Sequence, residues 1–399
     1  MTDTHRGIQF FSTVSREPDA ARAGRALAEA ARSGLGEGPV ELACLFFTSH
    51  YAQEADALCT VVRERLFPTA LLGCSAEGVI AGAEEIESAA AVTLWTARLP
   101  GVSLAPLRPS FTQDDETCSV GGWPTHLGTG TEPPFFLLLA DPFSTPVDAV
   151  LSQLADHAPG AAALGGMAGG GNDLGENRMV LNDAVYEDGM VGIALSGPVS
   201  IRTIVSQGCR PIGERYVVTK AEQNVIHEMG GMPALERLQA AFESLSSEER
   251  RIAHQALHLG IVTDEHRNRF ERGDFLVRNL IGADRESGSV AIGDHVREGQ
   301  TVQFHVRDAR SASEDLSLLL AADRSRHPSP PLGALVFSCC GRGRGLFGRP
   351  HHDVTMIRER AGDIPIAGFF AQGEIGPVGG SNFLHGYTAS VAIFSTPAS

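Results

Sequence analysis

Three stretches of the chain share one alternation of apolar and polar positions. Each opens with an apolar run of strand length, at 41–48, 135–140 and 334–339. Short unbroken apolar runs bounded by turn signals suit strands buried on both faces. In the first stretch Ala55, Leu58, Val62 and Leu66 then recur at helical spacing, which predicts a helix over 52–66. In the second, Thr145 is placed to cap, Pro146 suits the first helical position, and Val147, Val150, Leu151 and Leu154 share a face. The third predicts a shorter helix over 353–360. A second apolar strand follows each helix and ends in G-x-x-A-x-G. The copies are Gly73-Cys74-Ser75-Ala76-Glu77-Gly78, Gly165-Gly166-Met167-Ala168-Gly169-Gly170 and Gly368-Phe369-Phe370-Ala371-Gln372-Gly373. A further strand follows each loop, over 90–95, 190–195 and 390–394.

A strand-helix-strand crossover makes its two strands parallel. Ligands on such sheets collect at the carboxyl ends of the strands. Both the first-strand exits and the glycine loops lie at that edge, so the repeat predicts a site lined by the loops. The expected fold class is α/β (mixed α+β): repeated β-α-β units with G-x-x-A-x-G loops, and mixed parallel and antiparallel sheets flanked by helices.

Between the second and third copies the pattern changes. Leu235, Leu238, Phe242 and Leu245 predict an amphipathic helix over 233–245, and 247–259 continues helical. Strands are expected over 274–280 and 290–292. At 301–307, Val302, Phe304 and Val306 alternate with Gln303, His305 and Arg307, the mark of a half-buried antiparallel strand. Ser311-x-x-Glu314 reads as a capping box opening a helix over 316–322, and His327-Pro328-Ser329-Pro330-Pro331 as a linker. Gly208, Pro211 and Gly213 punctuate the chain near 207–214, which divides it into two domains, 1–207 and 208–399.

Composition removes several function classes. The 399 residues carry 32 basic against 48 acidic side chains, for a formal charge of −16. Such a balance argues against general nucleic-acid binding. The only lysine is Lys220, in Tyr216-Val217-Val218-Thr219-Lys220. That context excludes a Walker A loop and leaves one Schiff-base candidate with nothing beside it to lower its pKa. No apolar stretch reaches the length of a membrane helix, and the first residues lead into no apolar signal segment, so a cytoplasmic protein is expected. The seven cysteines include no C-x-x-C pair, so no zinc site is expected. Cys44, Cys59 and Cys74 lie in apolar segments. Cys339 and Cys340 are adjacent, about 3.8 Å apart at Cα, and a bond between them would be strained. The 45 glycines point to many turns or close backbone approaches.

Several segments carry a resemblance: Leu72-Gly73-Cys74-Ser75-Ala76-Glu77-Gly78, Phe337-Ser338-Cys339-Cys340-Gly341-Arg342, and Gly368 through Ile375. Gly208-Cys209-Arg210-Pro211-Ile212-Gly213 and Gly273-Asp274-Phe275-Leu276-Val277-Arg278 add to it. From about 30 to 395 the chain resembles the FIST proteins, with a FIST N-terminal domain followed by a FIST C-terminal domain. The resemblance implies an intracellular signal-transduction module that binds small ligands such as amino acids. Some FIST proteins are fused or linked to histidine kinases, cyclic-dinucleotide enzymes or chemotaxis modules. This sequence shows no such output domain, so its output would pass through a separate signalling partner. The resemblance assigns no ligand residue position by position.

The candidate residues come from the repeat. Arg342 could grip a carboxylate with its guanidinium fork, beside a polarised Cys339 thiol, or be a surface arginine next to a buried cysteine. Glu77, Asp141, Asn172 and Glu374 could hold an ammonium, or cap exposed turns. Gly73, Cys74, Ser75, Gly166, Met167 and Gly373 complete the expected lining, while Gly165 and Gly368 are expected to hold turn geometry. Gly343-Arg344-Gly345-Leu346-Phe347-Gly348 matches G-x-G-x-x-G, but Pro350 follows where a dinucleotide fingerprint would continue as a helix, so a mobile loop is expected. His351-His352-Asp353 is expected to be a solvated loop and not a metal site. No cofactor or metal is expected, and the expected partners are a small-molecule ligand and a signalling protein. Three readings stand side by side: a sensor of a small polar ligand, a cysteine-dependent hydrolase or transferase using Cys339 or Cys74, and a ligand-free scaffold.

Overall fold

A computed structural model describes residues 7–113, 118–125, 132–254, 256–267, 270 and 273–397. The described chain forms two compact units, 7–205 with 319–397, and 206–318. The first boundary lies between residues 205 and 206. The second returns the chain so that the third β-α-β copy packs with the first two.

All three predicted parallel pairs form. Leu42–Thr48 pairs with Ala70–Ala76, Phe135–Ala140 with Ala163–Met167, and Gly333–Cys339 with Ile366–Ala371. Each first strand also pairs antiparallel with the strand that follows its glycine loop: Val92–Arg98, Met190–Ser196 and Ala389–Ser395. These strands have apolar side chains on both faces, and the two faces go to different cores. Leu42, Cys44 and Phe46 point into a central cluster with Trp95, Phe337 and Phe369. Ala43, Leu45 and Phe47 pack under the helices Ala20–Leu35 and Ala55–Leu66. The second copy repeats this arrangement. Phe135, Leu137 and Leu139 face the central cluster, and Phe136, Leu138 and Ala140 lie under the helix Val147–His157. Burying each Leu or Phe contributes about 1.5–3 kcal/mol, so this two-sided burial specifies strand register strongly.

The connection between the copies is cyclic. Each glycine loop leads into a hairpin that does not stay in its own sheet. The first hairpin, Gly78–Ala81 and Glu84–Ile86, pairs with the third copy's Ile366–Ala371. The second, Met179–Leu181 and Ala184–Tyr186, pairs with the first copy's Ala70–Ala76. The third, Glu374–Val378 and Ser381–His385, pairs with the second copy's Ala163–Met167. The result is three six-stranded sheets built to one plan.

Residues 206–318 form a separate antiparallel sheet that closes on itself. Cys209–Glu222 pairs with Thr301–Arg307, and the ladder continues through Leu257–Val262, Phe275–Asp284, Ser289–Ile292 and Val225–Met229 back to Cys209–Glu222. Closure leaves no long open edge. Ile212, Leu259, Ile261, Val302, Phe304 and Val306 fill it, with Ala234 and Ala241 of the helix Ala234–Glu243.

Four local expectations are corrected. The helix expected over 247–259 stops at Ala253, and Leu257–Val262 is a strand. Pairing on both sides, with Leu257, Leu259 and Ile261 facing inward, outweighs its helical spacing. The later helix starts at Ala309, two residues before the expected box. Asp308 and Ser311 form the reciprocal pair at its start, and Glu314 bonds Arg310 instead. The helix Val147–His157 has no side-chain cap, and Thr145 Oγ1 is buried without a hydrogen-bond partner. Gly343–Phe347 is a short helix and not a loop.

Candidate functional site

The first glycine of each loop is fixed by the sheet. Gly73, Gly165 and Gly368 stand opposite Leu45, Leu138 and Val336 in the parallel ladders. A Cβ at these glycines would lie 2.2, 1.8 and 1.7 Å from the carbonyl oxygens of those three residues. No side chain fits there, so this part of the repeat is a packing requirement. The alanines of the three loops, Ala76, Ala168 and Ala371, are all buried in the central cluster.

The fifth positions, Glu77, Gly169 and Gln372, come together. A Cβ on Gly169 would lie 3.3 Å from the Glu77 backbone nitrogen and 3.4 Å from Gln372 Cγ. Backbone hydrogen bonds tie the loops around this point. Gly169 N–H donates to the Ser75 carbonyl at 3.1 Å, Met167 N–H to the Gly373 carbonyl at 2.7 Å, and Gln372 N–H to the Met167 carbonyl at 3.3 Å. Glu77 and Gln372 are exposed, and Gln372 Nε2 donates to the Gly171 carbonyl at 3.3 Å. Cys340 joins them: its N–H donates to the Ala371 carbonyl at 2.9 Å, and the Glu77 carboxylate is near enough to help raise its thiol pKa, after burial. The three loops therefore meet at the carboxyl ends of the parallel strands, with one acid, one amide and one thiol at the meeting point.

The other candidates lie around this junction. Gly73, Cys74, Gly166 and Met167 are buried strand residues. Ser75 is buried too; its Oγ accepts the Arg178 N–H at 2.9 Å, locking the second hairpin to the first loop. Gly373 is packed against Leu384 and Met167. Asn172 is exposed, its N–H donating to Glu176. Asp141 is fully buried and accepts from Ser144 Oγ at 2.7 Å, Phe143 N–H at 3.1 Å and Asn177 Nδ2 at 3.0 Å. Asn177 Oδ1 in turn accepts the Gly171 N–H at 3.1 Å, so Asp141 holds the second loop in place. Glu374 is buried and accepts the Thr388 N–H at 2.9 Å.

Arg342 is neither exposed nor open to a ligand carboxylate along its fork. It is 1% exposed, and its Nε and Nη2 bind Asp353 at 2.7 and 2.8 Å. Asp353 also accepts from Ser338 Oγ at 2.8 Å and lies 3.0 Å from His352 Nδ1. Burial alone would raise the Asp353 pKa; the Arg342 guanidinium more than offsets this and holds it well below the carboxylate range. The run 351–353, expected as solvated loop, thus opens the helix His352–Ala361 with His352 and Asp353 buried. Glu85 of the first hairpin faces the same helix and accepts the His352 and Val354 N–H groups at 3.1 and 2.9 Å. Burial, then the charge of Asp353, raises the Glu85 pKa to about 7.

The thiols oppose a nucleophilic role for most cysteines. Burial pushes Cys59 up to about 12 and raises Cys44 and Cys74 as well. Burial and the Glu77 carboxylate raise Cys340 likewise. Among the described residues no group of three or more His, Cys, Asp or Glu could hold a metal ion. No helix among them is long and apolar enough to cross a membrane.

Comparison with known proteins bears on the same segments. A FIST N domain profile matches residues 41–232 and a FIST C domain profile matches 234–377. The chain belongs to the FIST family. It is 41% identical over 381 residues to "Uncharacterized protein Rv0628c" of Mycobacterium tuberculosis, covering 96% of this chain and 98% of that one. It is also 41% identical over 382 residues to "Uncharacterized protein Mb0898c" of Mycobacterium bovis, covering 96% and 97%. FIST domains are associated with sensing in signal transduction. The boundary between the two FIST profiles, at 232–234, falls inside the compact unit 206–318, and the FIST C match runs on through the third glycine loop.

Sequence reasoning missed Gly169, Gln372 and Cys340 as junction residues, Asp353 as the partner of Arg342, and Asn177 as the partner of Asp141. The signal for the first two was present: they occupy the same repeat position as Glu77.

Proposed function

We propose that this FIST protein is a cytoplasmic sensor that binds a small polar, amino-acid-like metabolite where its three glycine loops meet, and signals through a separate protein partner. The observation that supports this reading is the convergence of Glu77, Gly169 and Gln372 at one point, on loops held by a shared core. An exposed carboxylate suits an ammonium, and an amide supplies both a donor and an acceptor for the rest of a polar ligand. Gly169, lacking a Cβ, lets the loops carrying Glu77 and Gln372 approach its backbone closely. Arg342 and Asp141, whose atoms are engaged by Asp353 and by Asn177 and Ser144, act in this reading as supports and not as ligand contacts.

A thermal-shift screen of amino acids and related amines, followed by calorimetry, tests the proposal. A ligand at one hundred times its Kd stabilises the native state by about 2.7 kcal/mol. Glu77→Gln and Gln372→Ala are expected to remove that shift while leaving the unliganded melting temperature nearly unchanged. A panel with no shift contradicts the sensor reading and favours the scaffold.

A further inference from the structure

Cys339 and Cys340 leave the strand Gly333–Cys339 beside the junction, and the ligand reading makes no use of Cys339. Both side chains are partly exposed and both are thiols, but their surroundings differ. The Gly341 N–H donates to Cys339 Sγ at 3.4 Å, a contact that favours a thiolate. The Cys340 N–H is held by the Ala371 carbonyl at 2.9 Å, and burial with the nearby Glu77 carboxylate keeps its thiol protonated. One sulfur is therefore arranged as an attacking group and its neighbour as a protonated thiol with a carboxylate nearby.

We propose that Cys339 and Cys340 form a reversible oxidation site for hydroperoxides, with Cys339 attacking, Cys340 resolving and Glu77 accepting the resolving proton. In the first step the Cys339 sulfur attacks the peroxide oxygen. The O–O bond breaks, Cys339 becomes a sulfenic acid, and the other oxygen leaves and takes a proton as water or an alcohol. In the second step the Cys340 sulfur attacks Cys339. The S–O bond breaks, the Cys340 proton passes through Glu77 to the departing hydroxide, and water leaves. The two sulfurs have lost two electrons and the peroxide has gained them.

The product is a strained bond, because adjacent Cα atoms lie about 3.8 Å apart and disulfides ordinarily span about 4.4–6.8 Å. Strained disulfides are the easily reduced, regulatory ones. Closing the ring turns the peptide whose N–H holds the Ala371 carbonyl at 2.9 Å. A link from this strand exit to the third glycine loop is then altered by one chemical event. This inference stands whether or not the junction takes a ligand.

The test treats the full chain with a small excess of hydrogen peroxide, traps it with iodoacetamide over time and maps the peptides by mass spectrometry. The expected product is a loss of two mass units on the peptide holding 339 and 340, restored by dithiothreitol. It should form at least about tenfold faster than oxidation of Cys118, the other partly exposed cysteine. Cys340→Ser should stop at a sulfenic acid on Cys339 that dimedone captures. Glu77→Gln should slow ring closure about tenfold or more without slowing sulfenic-acid formation. Circular dichroism and melting of each variant establish that it is folded. Oxidation of Cys118 at the same rate, a first adduct on Cys340, or a bond between two chains would each overturn the proposal.

Discussion

The inner and outer ends of the glycine loops obey different rules. At the inner end, Gly73, Gly165 and Gly368 are the same residue in all three copies, because each faces a neighbouring strand's carbonyl at a distance that admits no side chain. At the outer end, Glu77, Gly169 and Gln372 differ, although they meet at one point. Identity where packing is tightest marks a structural demand common to all copies. Divergence where the copies converge marks a place free to acquire chemistry. A repeat can therefore build a platform with one end of a motif and a site with the other.

The sharpest way to break this comparison is to exchange the two ends' tolerance. Gly368→Ala places a Cβ where the Val336 carbonyl oxygen stands, and a loss of about 4 kcal/mol or more, or failure to fold, is expected in denaturant titration. If Gly368→Ala melted like the parent, the inner glycines would not be packing constraints. Next in size is Arg342→Ala. It strands Asp353 as a buried unpaired charge and is expected to cost about 3–5 kcal/mol. An arginine reserved for a ligand would instead cost little stability when removed.

Glu85→Gln tests the contact between the first hairpin and the third copy through pH. The folded pKa of Glu85, about 7, lies above its ordinary value of 4.5. The folded state therefore holds the proton more tightly, so this contribution is full below pH 4.5, is lost as pH rises to about 7, and is flat beyond. Its size is on the order of 3 kcal/mol. Stability of Glu85→Gln relative to the parent should therefore improve across that window; a parallel pair of stability curves would contradict the assignment. The smallest stability effect, within about 0.5 kcal/mol, is expected for Glu77→Gln, which is exposed.

Much of the fold was legible before any coordinates. The apolar runs at 41–48, 135–140 and 334–339 and the three loop motifs placed the parallel pairs, because burial on both faces leaves an uninterrupted signature. The cyclic hairpin exchange was not legible. The residues after each loop show only a turn and short strands, and nothing local says which sheet receives them. The partner of Arg342 was hidden for a related reason. His351-His352-Asp353 looks polar enough for solvent, yet Asp353 is buried because Arg342, eleven residues earlier, folds back onto it. The junction was half legible: Glu77 was singled out for its charge, while Gly169 and Gln372 carry none and emerge only when the copies are aligned.

The central claim is that the outer ends form a ligand site on a platform made by the inner ends. Calorimetric titration of the best amino-acid-like ligand from the screen into the parent, Glu77→Gln and Gln372→Ala proteins tests it most directly. Saturable binding to the parent, weakened at least about tenfold in both variants at unchanged melting temperature, is the predicted result. Equal affinity in all three proteins would place the ligand elsewhere and contradict the account.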